Sequence, residues 1–323
     1  MRSDVLELLR EAGGYISGEK MAERLGVTRA AVWKKIAALR DAGYDISSAP
    51  RSGYILRSAP DRLIEPEIAK GLGTELVGRK IICYDAVGST NLLLKDMARQ
   101  GAENGTVVVA DTQGMGRGRM ERAFFSPPGK GIYVSILLRP NFLPQDAPKC
   151  TLKAAVAVAR AMEKFGLRAA IKWPNDIMHD GRKMVGILTE MSAEMDRVNY
   201  VVIGIGINVN IASEDFPEEL RPIATSLMQM KGEPLPRVAF LQELLRALDA
   251  LYACAQQEGF APVLAAWREY AVTLGQQVRV IGPAGESFEG MAADIDAEGA
   301  LLIDTSTGRR RVLAGDVSIR PKE

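Results

Sequence analysis

With 323 residues, 47% of them hydrophobic, and a net charge of +1, the chain holds apolar material for two or three cores and is no polycation. A single histidine, His179, makes histidine-built metal centres and Ser-His-Asp hydrolysis poor fits, and three scattered cysteines supply neither a disulfide framework nor a zinc site. There is no run of ~18 apolar residues and no secretory apolar segment at the start, MRSDVLELLR, so a cytoplasmic location is expected.

Residues 1–57 read as three helices and a hairpin. Ser3 is placed to cap a helix whose Val5, Leu6, Leu8 and Leu9 face inward, stopped by Gly13-Gly14. Ser17 opens a second helix that runs through Leu25, and Gly26 makes a tight turn. Thr28 then caps a third helix with Val32, Ile36 and Leu39 on one buried stripe and Gly43 at its end. Two helices joined by a short glycine turn form a helix-turn-helix. Ile46 and the segment 54–56 are predicted to pair around SSAPRSG, a wing tipped by Arg51.

From Thr28 to Pro60 six basic residues face two acidic ones. That local excess, on a module of this shape, points to DNA, with phosphate contacts from the lysines and the wing. The candidate contacts are Thr28, Arg29, Trp33, Lys34, Lys35 and Arg51. A module used only for packing is the alternative, and Trp33, beside the apolar stripe, also suits a partly buried place.

The segment RSAPDRLIE (57–65) is a short polar linker. Beyond it strands are predicted at 80–84, 106–110, 132–138, 170–173, 184–190 and 200–208, with helices at 89–99, 147–165 and 238–257. Strands and long helices without regular alternation describe an α+β layer. From Leu274 to Arg320 five short β segments separated by GPAGE, DAEG and STG turns fit a small closed barrel.

Between two of these strands lies DTQGMGRGRMERAFFS (111–126). Glycines at 114, 116 and 118 let backbone N–H groups approach a ligand, and Arg117, Arg119 and Arg122 add planar forks for carboxylate or phosphate. Nothing apolar holds its first ten residues, so disorder is expected in the empty protein. Phe124 and Phe125 are placed to fold over a ligand. The stretch matches neither the phosphate loop GxxxxGK[ST] nor the dinucleotide fingerprint GxGxxG.

Five segments occur together: GSTN at 88–91, GRGR at 116–119, KWPND at 172–176, RKMVGIL at 182–188 and GIGIN at 204–208. In this order, behind a winged helix, they resemble the bifunctional biotin–protein ligase and biotin operon repressor family over essentially the whole chain. The resemblance implies an α+β multidomain protein. Its parts would be a winged helix-turn-helix (1–60), a class II synthetase-like mixed sheet with helices (66–270) and an SH3-like β-barrel (274–323). The implied reaction uses ATP and Mg²⁺ to convert biotin to biotinyl-5′-AMP, which also serves as corepressor. The biotinyl group then passes to a lysine of a biotin carboxyl carrier protein. Operator DNA and a ligand-favoured homodimer are the other implied partners.

Residue by residue, the resemblance assigns Ser89, Thr90, Asn91 and Gln113 to the ureido ring, and Gly116, Arg117 and Arg119 to the valerate and its carboxylate. Arg119 and Arg122 fall on the phosphate, Lys183 beside both, and Lys183, Arg119 and Arg122 carry the catalysis. Phe124, Asn175 and Asn208 go to the nucleotide and Asp176 to Mg²⁺. Plain alternatives stand beside these: Ser89 as a helix cap, Asn175 and Asp176 as turn caps, Lys183 as a solvated hairpin lysine and Asn208 as a strand-end cap. The family's loop usually reads GRGR-x-G-R-x-W, where this chain has Glu121 and Phe124. The substitution at 121 keeps open a biotin sensor with weakened catalysis, and the shared central fold keeps open a lipoate or octanoate ligase.

Overall fold

The structure, a computed structural model, describes residues 4–282, 286–314 and 318–321. Contacts divide the chain into two compact units, 1–61 and 62–323.

The first unit begins with α1 (Val5–Ala12), α2 (Gly18–Leu25) and α3 (Arg29–Asp41). Asp4 caps α1, accepting from the Leu6 and Glu7 amides and closing a reciprocal box with Glu7. The expected cap, Ser3, lies outside the described residues. Ser17 and Thr28 cap α2 and α3 through the amides of Lys20 and Ala31, as their sequences predict. Val32 and Ile36 are buried, Leu39 is only half-buried, and Gly43, at φ 93°, follows the cap Ala42 as the expected stop. Strands β1 (Asp45–Ala49) and β2 (Gly53–Ser58) form the wing with Ile46 opposite Leu56, and Ile16 bridges to Tyr54 from outside.

The second unit is built on a seven-stranded sheet in the order β3-β4-β5-β9-β8-β7-β6. Its strands are β3 (Lys80–Val87), β4 (Thr106–Gln113), β5 (Gly131–Leu138), β6 (Ala170–Lys172), β7 (Asp176–His179), β8 (Arg182–Ala193) and β9 (Val198–Asn208). Only β3 and β4 run parallel. Helix α4 (Glu65–Ala69) precedes β3 and α5 (Thr90–Arg99) follows it. After β5 comes α6 (Ala147–Lys164), and after β9 come α7 (Leu227–Lys231), α8 (Arg237–Glu258) and α9 (Ala261–Tyr270).

Strand alternation sorts the sheet into two faces. Val107, Val109, Ile132, Val134, Ile203, Ile205, Ile207, Val185 and Ile187 point into the main core, which the alanine-rich α6 and the leucine-lined α8 complete. On the other face α5 covers Val108, Leu137 and Val202 with Leu94 and Ala98. The rest of that face is left open, and the site lies there.

The last strands, β10 (Gln277–Ile281), β11 (Ser287–Ile295), β12 (Leu301–Thr305), β13 (Gly308–Val312) and β14 (Ser318–Pro321), form an antiparallel sheet ordered β13-β12-β11-β10-β14. The five predicted strands are present and pair in one antiparallel ladder, as expected of the SH3-like part. The sheet docks through Trp173, whose amide donates to Thr273 Oγ1 at 2.9 Å and whose indole donates to the Gly299 carbonyl at 3.1 Å. No helix among the described residues is long and apolar enough to cross a membrane.

Candidate functional site

Two adjoining cavities open on the uncovered face of the large sheet. The inner one is a slot with an empty volume of about 440 Å³, and glycines make it. Gly204 lies opposite Ser135 on β5 and Leu188 on β8, and Gly206 lies opposite Tyr133 and Gly186. Their missing side chains clear a strip that the chain uses tightly. A Cβ on Gly204 would stand 2.1 Å from Asn91 Oδ1, and one on Gly206 would stand 2.6 Å from the Phe124 ring. The Phe124 ring lies on this strip, edge-on to Tyr133 at 6.4 Å. Burial, and after it the Asp111 charge, pushes the Tyr133 phenol up.

The head of α5 supplies the polar end. Ser89 is its N-cap by backbone, yet its side chain makes no capping hydrogen bond and lines the slot instead. Thr90 donates its amide to Gln113 Oε1 at 2.9 Å, and Gln113 Nε2 reaches Ser126 Oγ at 3.3 Å. Beneath them Ser135, with no exposed surface, lies 2.8 Å from Thr90 Oγ1 and 2.6 Å from Asn91 Oδ1. Asn91 Nδ2 donates to Glu190 Oε2 at 2.9 Å and Leu188 O at 3.3 Å. Asn91, given by resemblance to the ureido ring, lines the slot and is braced there by Ser135, Glu190 and Leu188.

The glycine-arginine stretch closes one wall. Gly114 and Met115 donate to Val87 O and Gly88 O, Phe124 donates to Gly116 O, and Gly118 donates to Arg122 O, making a small hairpin. Gly116 is required by space: a Cβ there would sit 2.5 Å from Phe124 O and 3.3 Å from Gln113 Nε2. Backbone hydrogen bonds, which carry no composition signal, hold the stretch in this conformation. At its base Asp111 accepts from Arg237 Nη1 at 2.8 Å and from the Gly129 amide at 2.8 Å, while Arg237 also donates to Gly131 O. At its end Phe125 packs on Phe216, 5.9 Å between centroids. The Glu121 side chain, on which the weakened-catalysis alternative turns, lies outside the described residues.

The outer chamber, with about 1630 Å³ of empty volume, is lined by cations and apolar surface. It receives Arg119, Arg122, Lys183, Asn175, Asp176 and Asn208. Arg119 Nη1 donates to Asn175 Oδ1 at 3.3 Å, and Asn175 is fixed in turn by donating to Ile187 O at 2.9 Å. Lys183 Nζ lies 2.6 Å from Asp176 Oδ1, off the hydrogen-bonding direction, so this is a charge contact. The backbone of Lys183 is pinned to Ile223 and Thr225, so the lysine belongs to the chamber wall and not to a solvated hairpin. Asn208 Nδ2 donates to Thr225 O at 3.0 Å, while its Oδ1 is buried with no hydrogen-bond partner. An orphaned buried acceptor at a chamber wall is uncommon and suits a ligand donor.

Apart from Gly116, which packs against Gln113 behind the wall, every residue assigned to ligands lies at one of two joined cavities. Sequence reasoning missed Ser135, Ser126, Glu190 and the three-glycine strip. Ser135 had a signal, as a lone hydroxyl in the apolar strand IYVSILL; Glu190 had none. In the first unit Thr28, Arg29, Trp33, Lys34, Lys35 and Arg51 are all exposed. Trp33 is 60% exposed, so it is a surface residue of α3 and takes no part in the core.

A slot for a small ring, opening on a cation-lined chamber and carried by a chain with a helix-turn-helix, defines a ligase of small carboxylic acids with a DNA-binding unit. Residues 84–208 match the biotin/lipoate A/B protein ligase family, residues 2–55 an HTH domain, and residues 273–320 the biotin protein ligase C-terminal domain. The bifunctional ligase/repressor BirA of Bacillus subtilis is 44% identical over 99% of this chain and 98% of its own. That of Escherichia coli is 33% identical over 96% and 95%. The biotin protein ligase of Aquifex aeolicus, solved with biotin and ATP, superposes with a TM-score of 0.65 at 28% identity, covering 76% of this chain and all of that one. The chain belongs to the family of bifunctional biotin–protein ligases and repressors.

Proposed function

We propose that this protein activates biotin with ATP, transfers it to a carrier-protein lysine, and represses transcription when its adenylate site is filled. One observation carries the ligase reading: the hydrogen-bonding slot and the cationic chamber meet at Gly118, Phe124, Asn175 and Lys183, with Arg119 on the chamber side bonded to Asn175. Biotin's ring would lie in the slot against Ser89, Thr90 and Gln113, its valerate passing Gly116 and Arg117 toward Arg119 and Lys183. The nucleotide would occupy the chamber, its adenine against Phe124 and Asn208 and its phosphate beside Arg119 and Arg122.

Two anions must meet for the first step, and they repel until cations neutralise them. A carboxylate is already nucleophilic, so its oxygen attacks the α-phosphorus and diphosphate leaves without a general base. The carrier lysine's amine then attacks the acyl carbon and AMP leaves. Positioning and fixed charge supply the catalysis. Asp176 Oδ1 lies 2.6 Å from Lys183 Nζ, so a Mg²⁺ held there would share that carboxylate with the lysine and would take its other ligands from the nucleotide phosphates. No step is assigned to that ion. The test is diphosphate release on adding ATP, Mg²⁺ and either biotin or lipoate; release with lipoate alone would move the chain to the lipoate branch.

The division into 1–60, 66–270 and 274–323 places the DNA contacts in the first part, and a cytoplasmic site of action fits the free thiols of Cys83, Cys150 and Cys254. Lys34→Ala or Arg51→Ala is expected to weaken operator binding and to flatten its log–log salt dependence by about one unit per lost phosphate contact, with ligase activity unchanged. A salt slope equal to that of the parent in both variants would sink the repressor proposal. One winged helix reads a half-site, so a twofold homodimer is expected, favoured by the adenylate. Sedimentation with and without a non-hydrolysable adenylate mimic should show dimerisation tightened by ~1–3 kcal/mol.

A further inference from the structure

The outer side of α3 carries cations, small residues and one large ring. Trp33 is 60% exposed, whereas Trp173 and Trp267 are buried, and Ala30 and Ala37, one turn away on either side, put no bulk beside it. An indole held in water offers a broad apolar contact that the folded unit itself does not use. The charge around it says what partner it suits. Arg24 pairs with Glu11, Arg40 donates to Ile46 O and Arg57 lies over the Tyr15 ring, so these three are engaged within the unit. Arg29, Lys34 and Lys35 on α3 and Arg51 at the wing tip are exposed, and among the described residues none of them has a carboxylate partner. Four cations around one ring fit a polyanion with an apolar feature between its charges.

Few chemistries read base edges in the major groove. Asparagine or glutamine grips adenine, a carboxylate accepts from cytosine, arginine or lysine grips guanine, and apolar groups touch the thymine methyl. Residues 28–38 hold no asparagine, glutamine, aspartate or glutamate, and the Thr28 hydroxyl oxygen already accepts the Ala31 amide. That leaves guanine to the cations and A·T pairs to the apolar groups, of which Trp33 is by far the largest. We propose that Trp33 is a specificity-determining residue that reads the C5-methyl group of thymine, while the cations around it hold phosphates and guanine. The inference rests on the DNA-binding reading of the first unit and names what that unit recognises. A ring contact neutralises no phosphate, so it adds selectivity and leaves the salt dependence alone.

The test starts from a pool of random-sequence duplexes, from which the full chain, with biotin, ATP and Mg²⁺, selects its own sites. The selected duplex is then resynthesised with deoxyuridine in place of each thymidine in turn, which removes one methyl and nothing else. At one thymine or more per half-site the parent protein should bind the demethylated duplex at least ~5-fold more weakly, the low end for one misread base pair. In Trp33→Ala that difference should shrink below ~2-fold, with a log–log salt slope equal to the parent's. Alanine is the best helix former and Trp33 lies outside the core, so the variant keeps α3 folded. Methyl loss without effect at every thymine, full methyl dependence in Trp33→Ala, or a flattened salt slope in that variant each overturns the role of Trp33. A parent protein that selects no duplex overturns the DNA-binding reading itself, a separately visible result.

Discussion

Replacing Lys183 or Arg119 with alanine is expected to slow biotinyl-adenylate formation at least ~10²-fold, the size of one lost charge contact to a transition state. Lys183 lies where slot and chamber join, Arg119 lines the chamber beside it, and neither is loose. Arg119 is steadied by Asn175, and Lys183 by Asp176 and by a backbone bonded on both sides to the segment 223–225. Such preorganisation is what makes a cation count in the transition state, since no reorganisation is needed when charge spreads over the α-phosphate. Single-turnover diphosphate release, with biotin and ATP saturating, is the measurement. Parental rates in either variant would remove that residue from the chemistry.

Gly204→Ala should be as damaging, at the level of binding. The added methyl would stand 2.1 Å from Asn91 Oδ1, a side chain 5% exposed and held by Ser135, Glu190 and Leu188. Asn91 has nowhere to yield without abandoning at least one of those bonds, at about 1–3 kcal/mol for each buried group left unmet. Thr90, which shares Ser135 with it, shifts too. Biotin affinity is expected to fall ~10²-fold, which corresponds to roughly 2.7 kcal/mol. Calorimetric titration gives the affinity, and a thermal melt of the same sample separates a damaged slot from a lost fold. Full affinity in a folded Gly204→Ala protein would mean that Asn91 is not part of the slot's rigid frame.

What the sequence disclosed, and what it withheld, follows from the range of the interactions. Helix caps at Ser17 and Thr28 and the alternation in IYVSILL are local, and they were readable. The partner of Ser89's hydroxyl was not, because only the folded chain decides whether a cap serine turns inward or toward a cleft. Short β7 escaped notice since four residues carry no period, and the strand order of the last sheet depends on pairings far apart in sequence. The fold of the glycine-arginine stretch lies in its backbone, where composition has no voice. The family resemblance reached the ligand-facing side chains but not Ser135, Ser126 and Glu190 behind them, which matter through other residues.

Helix α8 holds two distant things at once. Arg237, in its first turn, grips Asp111 and Gly131 at the root of the ligand wall. Further along, Gln242 donates to Glu67 O, Ile68 O and Lys70 O, Arg246 to Gly71 O and Leu72 O, and Asp249 accepts from the amides of residues 75–77. The spacing between those grips is a phase as much as a distance. Each residue of an α-helix advances the azimuth by ~100°, so one residue inserted between 237 and 242 would swing the later grips off their targets while Arg237 stayed on its own. Substitutions on the outer side of α8 are therefore open to drift, whereas insertions and deletions between its two grips are closed to it.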